Sequence, residues 1–204
     1  FAADEPPMNL TMHKTMFCAA ALLALPAMAQ PTWPTKPIRL IVPSAPGGGT
    51  DIAARLIAQG LTESLGQAVV VDNRGGAGGI AGVTVAAKHS APDGYTLVLG
   101  SNGHLSFASA INPKLPYDPQ KDLAPISLAA NQPFVLAITA GVPATNLREL
   151  IALARAKPGT ITYGSGGTGS ASHLGVALFE MKAGVQLMHI PYKGTGPGMT
   201  ALMG

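Results

Sequence analysis

The stretch Ile38 to Arg55, IRLIVPSAPGGGTDIAAR, decides the fold. Ile38 to Val42 reads as a continuous apolar strand, PSAPGGG turns the chain, and a helical pattern opens near Asp51. A turn of this kind leaves the first helical N–H groups without internal partners and points them outward, where an anion can accept them. Ile161 to Leu178, ITYGSGGTGSASHLGVAL, repeats the device: strand, glycines, then a helix capped by Ser or Thr. Two such turns facing each other would clamp a carboxylate.

Outward from the first turn, strand and helix alternate. Asp51 to Leu65 places Ile52, Leu56, Ile57 and Leu61 at roughly the helical period and stops at Gly66. Val69 to Val71 is a buried strand, the glycine-rich turn Asn73 to Gly79 opens a small-residue helix through Ala87, and APDG leads into a strand from Tyr95 to Leu99. Uniformly apolar strands in a β-α-β-α-β run imply a parallel sheet with helices on both faces. Asn112 to Pro125, rich in proline and charge, reads as an irregular surface segment, and Phe134 to Thr139 as a strand crossing into a second lobe. Asn146 and Glu149 have capping-box spacing ahead of a helix from Leu147 to Lys157. Then come a strand at Ile161 to Tyr163, a helix from Ser170 to Ala183, a strand from Val185 to Pro191 and a helix beginning near Gly198. An end at Gly204 leaves this second sheet without later strands, so the chain reads as truncated there.

Composition narrows the function. Of 204 residues 47% are hydrophobic and 11% charged, which suits a packed core and not a disordered tail. The net charge is only +3, and the 13 Lys and Arg form no stripe interleaved with aromatics, so nucleic acid is not an expected partner. Met12 to Ala29, MHKTMFCAAALLALPAMA, has the basic start, short apolar run and small-x-small end of a secretory signal, with cleavage before Gln30. The apolar run is far short of the ~20 residues that span a bilayer. Phe1 to Thr11 reads as sequence upstream of the true start at Met12. Cys18 lies inside the signal, so the mature chain has neither disulfide nor thiol nucleophile.

Several residues carry competing readings. Asp51 either steadies the positive end of its helix or accepts hydrogen bonds from a ligand, and both roles are compatible. Gly164, Gly166 and Gly169 satisfy G-x-G-x-x-G, but the acid expected ~20 residues on is replaced by Pro191-Tyr192-Lys193, so no dinucleotide cofactor is expected. Ser172 and His173 are adjacent on a helix and point ~100° apart, so they form no catalytic pair, and His173 reads as structural. The other histidines are too dispersed for a metal, and none is expected. Ser101 and Asn102, at the end of a strand, are secondary ligand contacts. Arg74 faces a cleft or pairs with a surface carboxylate. Tyr192 and Lys193 reach a ligand from the second lobe, or the tyrosine packs on the hinge.

From Trp33 to Gly204 the chain resembles the Bug family, the periplasmic solute-binding proteins of tripartite tricarboxylate transporters. The resemblance rests on WPTKPIRLIVPSAPGGGTD, VVVDNRGGAGGIAG, APDGYTLVLGSNG, KLPYDPQKDLAPIS, ITYGSGGTGSASHLG and HIPYKGTGPGMTALMG, in that order. It implies an α/β, two-lobed periplasmic-binding-protein (Venus-flytrap) fold with parallel-rich sheets and a second lobe incomplete in this chain. The expected divisions are 1–29 for the upstream extension and signal, 30–130 for the first lobe and 131–204 for the second. The resemblance also implies a ligand carboxylate held, partly through water, by Pro46, Gly47, Gly48, Gly49, Thr50 and Asp51 in the first lobe. Ser165, Gly166, Gly167, Thr168, Gly169 and Ser170 face them from the second. Two positions depart from the family pattern: Ser44 stands where an aromatic residue is usual, removing a packing surface beside the ligand, and Gly75 stands where proline is usual. The implied function is capture of a small organic carboxylate in the periplasm, without catalysis or cofactor, for a permease of two integral membrane subunits. An exported α/β enzyme, hydrolase or cofactor-dependent, and a non-functional truncated copy are the alternatives.

Overall fold

A computed structural model describes residues 32–204; the signal reading and Cys18 lie outside the described residues. The first sheet is parallel, with strand order β2-β1-β3, formed by β1 (Ile38–Val42), β2 (Val69–Asn73) and β3 (Thr96–Val98). Ile38 pairs with Val69 on one side of β1, and Arg39 with Thr96 on the other. As the central strand, β1 is covered on both faces: Ile38, Ile41 and Val42 have no exposed surface.

Helix α1 spans Gly49–Leu65, starting before Asp51, and ends where Gly66, at φ 67°, donates its N–H to the Thr62 carbonyl. Its inward stripe differs from the expected one. Ala54 and Ala58 are buried and Leu61 and Leu65 pack on the core, whereas Ile52 and Leu56 are exposed. Residues 51, 54, 58, 61 and 65 share one face at helical spacing, and the two alanines let the helix axis lie close to β1. A neighbouring leucine cannot compete for that face once the small residues take it.

A single tight turn, Ala77–Gly79, precedes α2 (Ile80–Lys88). Gly82 on α2 brings the helix against the strand ends: a β-carbon there would lie 2.6 Å from the Arg74 carbonyl oxygen and 2.8 Å from Pro43 Cα. After β3 a helical segment that the sequence reading did not contain begins as a wide turn, Gly103–Phe107, and continues as α3 (Ala108–Ile111). It starts without a side-chain cap and carries a glycine, so the usual signals are missing.

The strand expected at Phe134 to Thr139 is not formed. Residues 123–139 take no regular structure, and Phe134 and Val135 are exposed. An apolar run becomes a strand only beside a partner, and none of the described strands pairs with it. The rest follows the expected alternation. Helix α4 (Leu147–Ala156) begins with the foreseen capping box: Glu149 N–H donates to Asn146 Oδ1 at 3.0 Å and the Glu149 carboxylate accepts from Thr145 N–H at 2.7 Å. Strand β4 (Thr162–Ser165) and strand β5 (Met188–Pro191) pair in parallel, joined by α5 (Ala171–Ala183), which Ser170 caps. Helix α6 (Thr195–Met203) starts earlier than Gly198.

One buried side chain is unlike the rest of the core. His104 is 7% exposed, accepts the Ser101 N–H at Nδ1 (3.2 Å), and therefore carries its proton on Nε2, beside the Gly78-Gly79 backbone. Burial lowers its pKa from 6.5 to about 4, against a smaller opposing effect of the Gly78 backbone. Its own carbonyl accepts the buried Tyr117 hydroxyl at 2.7 Å.

Two measurements follow from this packing. Gly82→Ala should cost roughly 1–3 kcal/mol through overpacking against Pro43 and Arg74, read as a lower urea midpoint; an unchanged midpoint would mean those residues yield freely. His104 binds a proton more weakly folded than unfolded. Stability should therefore be full above pH 6.5 and fall as pH drops towards about 4, by roughly 3 kcal/mol in all. His104→Gln should flatten the melting temperature across that window, and a slope equal to the parent's would refute the assignment.

Candidate functional site

The first glycine turn is held in place by one carboxylate. Asp51, 3% exposed, accepts the Gly47 N–H (2.9 Å), Asn73 Nδ2 (2.9 Å) and Arg55 Nε (3.0 Å). Burial raises its pKa, but the hydrogen bonds from Arg55, Gly47 and Asn73 outweigh that and hold it below its ordinary 3.8. Asn73 also donates to the Ser44 carbonyl, stapling the turn to the end of β2. The Asp51 oxygens thus point into the protein. Gly48, extended and without a side-chain cap, leads into α1, whose geometry leaves the N–H groups of Gly49 and Thr50 without intrahelical acceptors.

The second turn is built differently. Gly166 N–H donates to Ser172 Oγ (2.9 Å), Gly167 N–H to Ser165 Oγ (3.1 Å), Gly169 N–H to His173 Nδ1 (3.3 Å) and Ser170 N–H to the Gly167 carbonyl (3.0 Å). Behind it the rings of Tyr163, His189 and His173 stack, with centroids 4.9 and 4.2 Å apart, and Ser165 Oγ lies 2.6 Å from His189 Nε2. Burial, then the neighbouring His173, push His189 below 6.5, while Glu180 opposes them. The turn is a braced wall whose amides are largely spent on itself. Glycine spacing alone made the two turns look equivalent; Ser172 and His173, side-chain acceptors just downstream, are the signal that separates them.

Residues 34–204 form one compact unit, and within it the two sheets meet along a seam of backbone contacts. The first turn meets the start of α6: Ala45 N–H donates to the Lys193 carbonyl at 2.9 Å, and a β-carbon on Gly48 would strike the Thr195 side chain and lie 3.2 Å from the Gly196 nitrogen. The Thr195 methyl is 3.6 Å from the corresponding position on Gly166, so Thr195 stands between the two glycine turns. At the other end of the seam, a β-carbon on Gly78 would strike the Thr168 carbonyl oxygen, and one on Gly103 would lie 2.8 Å from the Ala171 nitrogen.

The structure therefore brings Gly47, Gly48, Gly49, Thr50 and Asp51 to one end of the seam, and Thr168, Gly169 and Ser170 towards the other, with Ser165 and Gly166 between. Ser101 hydrogen-bonds His104 and starts the helical segment after β3. Tyr192 lays its ring 3.2 Å from the β-carbon position of Gly164, packing at a strand end. Arg74 pairs with Asp72 at 3.0 Å. Thr195 and Gly196 were missed, although KGTG after β5 is a fourth strand–glycine–helix turn. Among the described residues no group of three or more His, Cys, Asp or Glu could hold a metal, and no helix is long and apolar enough to cross a membrane.

Comparison with known proteins gives this geometry a family. The model for the tripartite tricarboxylate transporter family receptor matches residues 53–204. Protein BugT of Bordetella pertussis is 43% identical over 201 residues, covering 97% of this chain and 61% of BugT. Rpa4515 of R. palustris, solved with adipate, superposes with a TM-score of 0.80 at 38% identity, over 83% of this chain and 56% of that one. MatC from Rhodopseudomonas palustris, solved with bound malate, gives 0.78 at 35% identity, over 83% and 57%. The chain thus spans between 56% and 61% of the length of these relatives. The fold they share with it is the α/β, two-lobed periplasmic-binding-protein fold with parallel sheets. With most of its described length matched, this chain belongs to the tripartite tricarboxylate transporter receptor family, together with the Bug proteins.

Proposed function

We propose that this chain forms the ligand-gripping part of a periplasmic solute-binding protein, which holds a small organic carboxylate between two lobes and presents it to a two-subunit integral membrane permease. The lobes are residues 30–130 and 131–204, and the segment Met12 to Ala29 directs export. The observation that carries the reading is the convergence of two helix amino ends, α1 and α6, on one seam, with Gly48 against Thr195 and Gly196. Each end bears a partial positive charge and orphan N–H groups, and the nearby carboxylate, Asp51, is spent on internal donors. An anion between them removes that repulsion and accepts those hydrogen bonds. The relatives solved with adipate and malate bind molecules of this class.

In this reading Gly48, Gly49 and Thr50 supply donors, Gly47 and Asp51 set the turn, Ser165 and Gly166 form the opposing wall, and Thr168, Gly169 and Ser170 anchor that wall from the far end of the seam. Tyr192 and Ser101 support it from behind. No catalysis is required. The Ser165–His189 contact has the form of a nucleophile and its base, but Ser165 is 3% exposed and its oxygen accepts the Gly167 N–H, which suits a brace and not an attacking group.

A thermal-shift screen against mono-, di- and tricarboxylates and carboxylated aromatics tests the proposal, with stabilisation by at least one acid expected; stabilisation by a nucleotide and by no acid would overturn it. Gly48→Val, which fills the approach to the α1 amides and collides with Thr195, should weaken binding of a stabilising acid by about a hundredfold, ~2.8 kcal/mol. Its far-ultraviolet circular dichroism should match the parent. Undiminished affinity would show that the turn is only structural.

A further inference from the structure

Ser44 lies between β1 and the first glycine turn. Its backbone is fully used: the N–H donates to the Val42 carbonyl (2.8 Å), and its carbonyl accepts Asn73 Nδ2 (3.2 Å). Its side chain is not. Ser44 Oγ is buried and has no hydrogen-bond partner, the only side-chain nitrogen or oxygen among the described residues in that condition. A hydroxyl stranded in this way is destabilising and rare in folded proteins, and a partner arriving from outside would relieve it.

The position indicates the partner. A β-carbon on Gly194 would lie 3.3 Å from Ser44 Cβ, one on Gly75 3.2 Å from the Ser44 carbonyl carbon, and the next residue, Ala45, donates to the Lys193 carbonyl. Ser44 is therefore wedged where the first turn meets the start of α6, four residues before Gly48 in the same turn. On the proposed reading, the ligand atoms brought to this end of the turn are those next to the carboxylate. The hydroxyl both donates and accepts, so an alcohol or keto oxygen satisfies it and a methylene does not.

We propose that Ser44 is a specificity-determining residue that selects acids bearing an oxygen on the carbon next to the carboxylate over their unsubstituted counterparts. The inference rests on the carboxylate reading above and deepens it. When a 2-hydroxy or 2-keto acid binds, its oxygen pairs with Ser44 Oγ; when a plain acid binds, Oγ stays stranded and the seam closes less favourably.

Calorimetric titration of two matched pairs, L-malate with succinate and lactate with propionate, tests this on the parent chain, Ser44→Ala and Ser44→Thr. The parent should bind the 2-hydroxy member of a pair about tenfold or more tightly than its partner, as expected for one buried hydrogen-bonding group. Ser44→Ala should bring that ratio near one by weakening the hydroxy acid alone, Ser44→Thr should restore a preference, and Ser44→Ala without ligand should melt no lower than the parent. Equal affinities in the parent, or a preference that survives Ser44→Ala, would overturn the role of Ser44 while leaving carboxylate binding intact. Absence of binding by every acid in the wider screen would instead bring down the carboxylate reading and this inference with it.

Discussion

The buried carboxylate of Asp51 is the constraint on which the site depends. It ties together three pieces of chain: the glycine turn through Gly47, the end of β2 through Asn73, and the flank of α1 through Arg55. A carboxylate in the first turn of a helix favours the helix, typically by ~0.3–1 kcal/mol. Here it also uses up the donors that would otherwise bend the turn inward. With Gly47 satisfied by Asp51, the amides of Gly49 and Thr50 open α1 without intrahelical acceptors. Were this acid exposed and free, it would compete with any anionic ligand for those same N–H groups; buried and held charged, it cannot.

The parts of the fold legible in the sequence were those fixed by local chemistry. β1 announced itself as an apolar run before a glycine turn, and α4 by the Asn146–Glu149 capping box, because strand burial and helix capping act over a few residues. The inward face of α1 was misread because periodicity weighs Ile52 and Leu56 above Ala54 and Ala58, whereas close packing on β1 favours the small side chains. The segment from Phe134 to Thr139 was misread for the opposite reason: its residues suit a strand, and strand pairing is a property of the neighbour. At the site, the glycine spacing located both turns but could not say which amides were already spent. That depends on side chains such as Ser172, His173 and Ser165 folding back onto the turn, at spacings that carry no helical or strand period. Thr195 was not singled out because it belongs to the turn after β5, whose KGTG is shorter in glycine than the two turns paired by their spacing.

The asymmetry between the turns suits a clamp. A gripping site needs one side that offers hydrogen bonds and another that holds its shape while they form, since two loose loops would each lose conformational entropy on binding. The ring stack of Tyr163, His189 and His173, with Ser165 joined to His189, fixes the second turn without a ligand. The donors are then concentrated on the first turn and on the start of α6.

Magnitudes decide which of the proposed contacts would grip a carboxylate. Two helix dipoles contribute at most about 1–2 kcal/mol together at a solvated site, which falls far short of the ~8 kcal/mol of a micromolar complex. Direct N–H bonds to a charged oxygen are worth ~1.5–3 kcal/mol each, so three or four of them approach that scale where the dipoles cannot. Those bonds require the carboxylate to come within hydrogen-bonding distance of backbone, at a seam so close that a β-carbon on Gly48 would already strike the Thr195 side chain. The glycines of the first turn therefore act by permitting contact more than by shaping charge. The same close approach lets Ala45 bond to Lys193 across the seam, so the stretch of backbone proposed to read the anion also joins the two sides. A ligand that touches both sides stabilises that meeting by its differential affinity for the closed arrangement, and one that touches a single side leaves it unchanged.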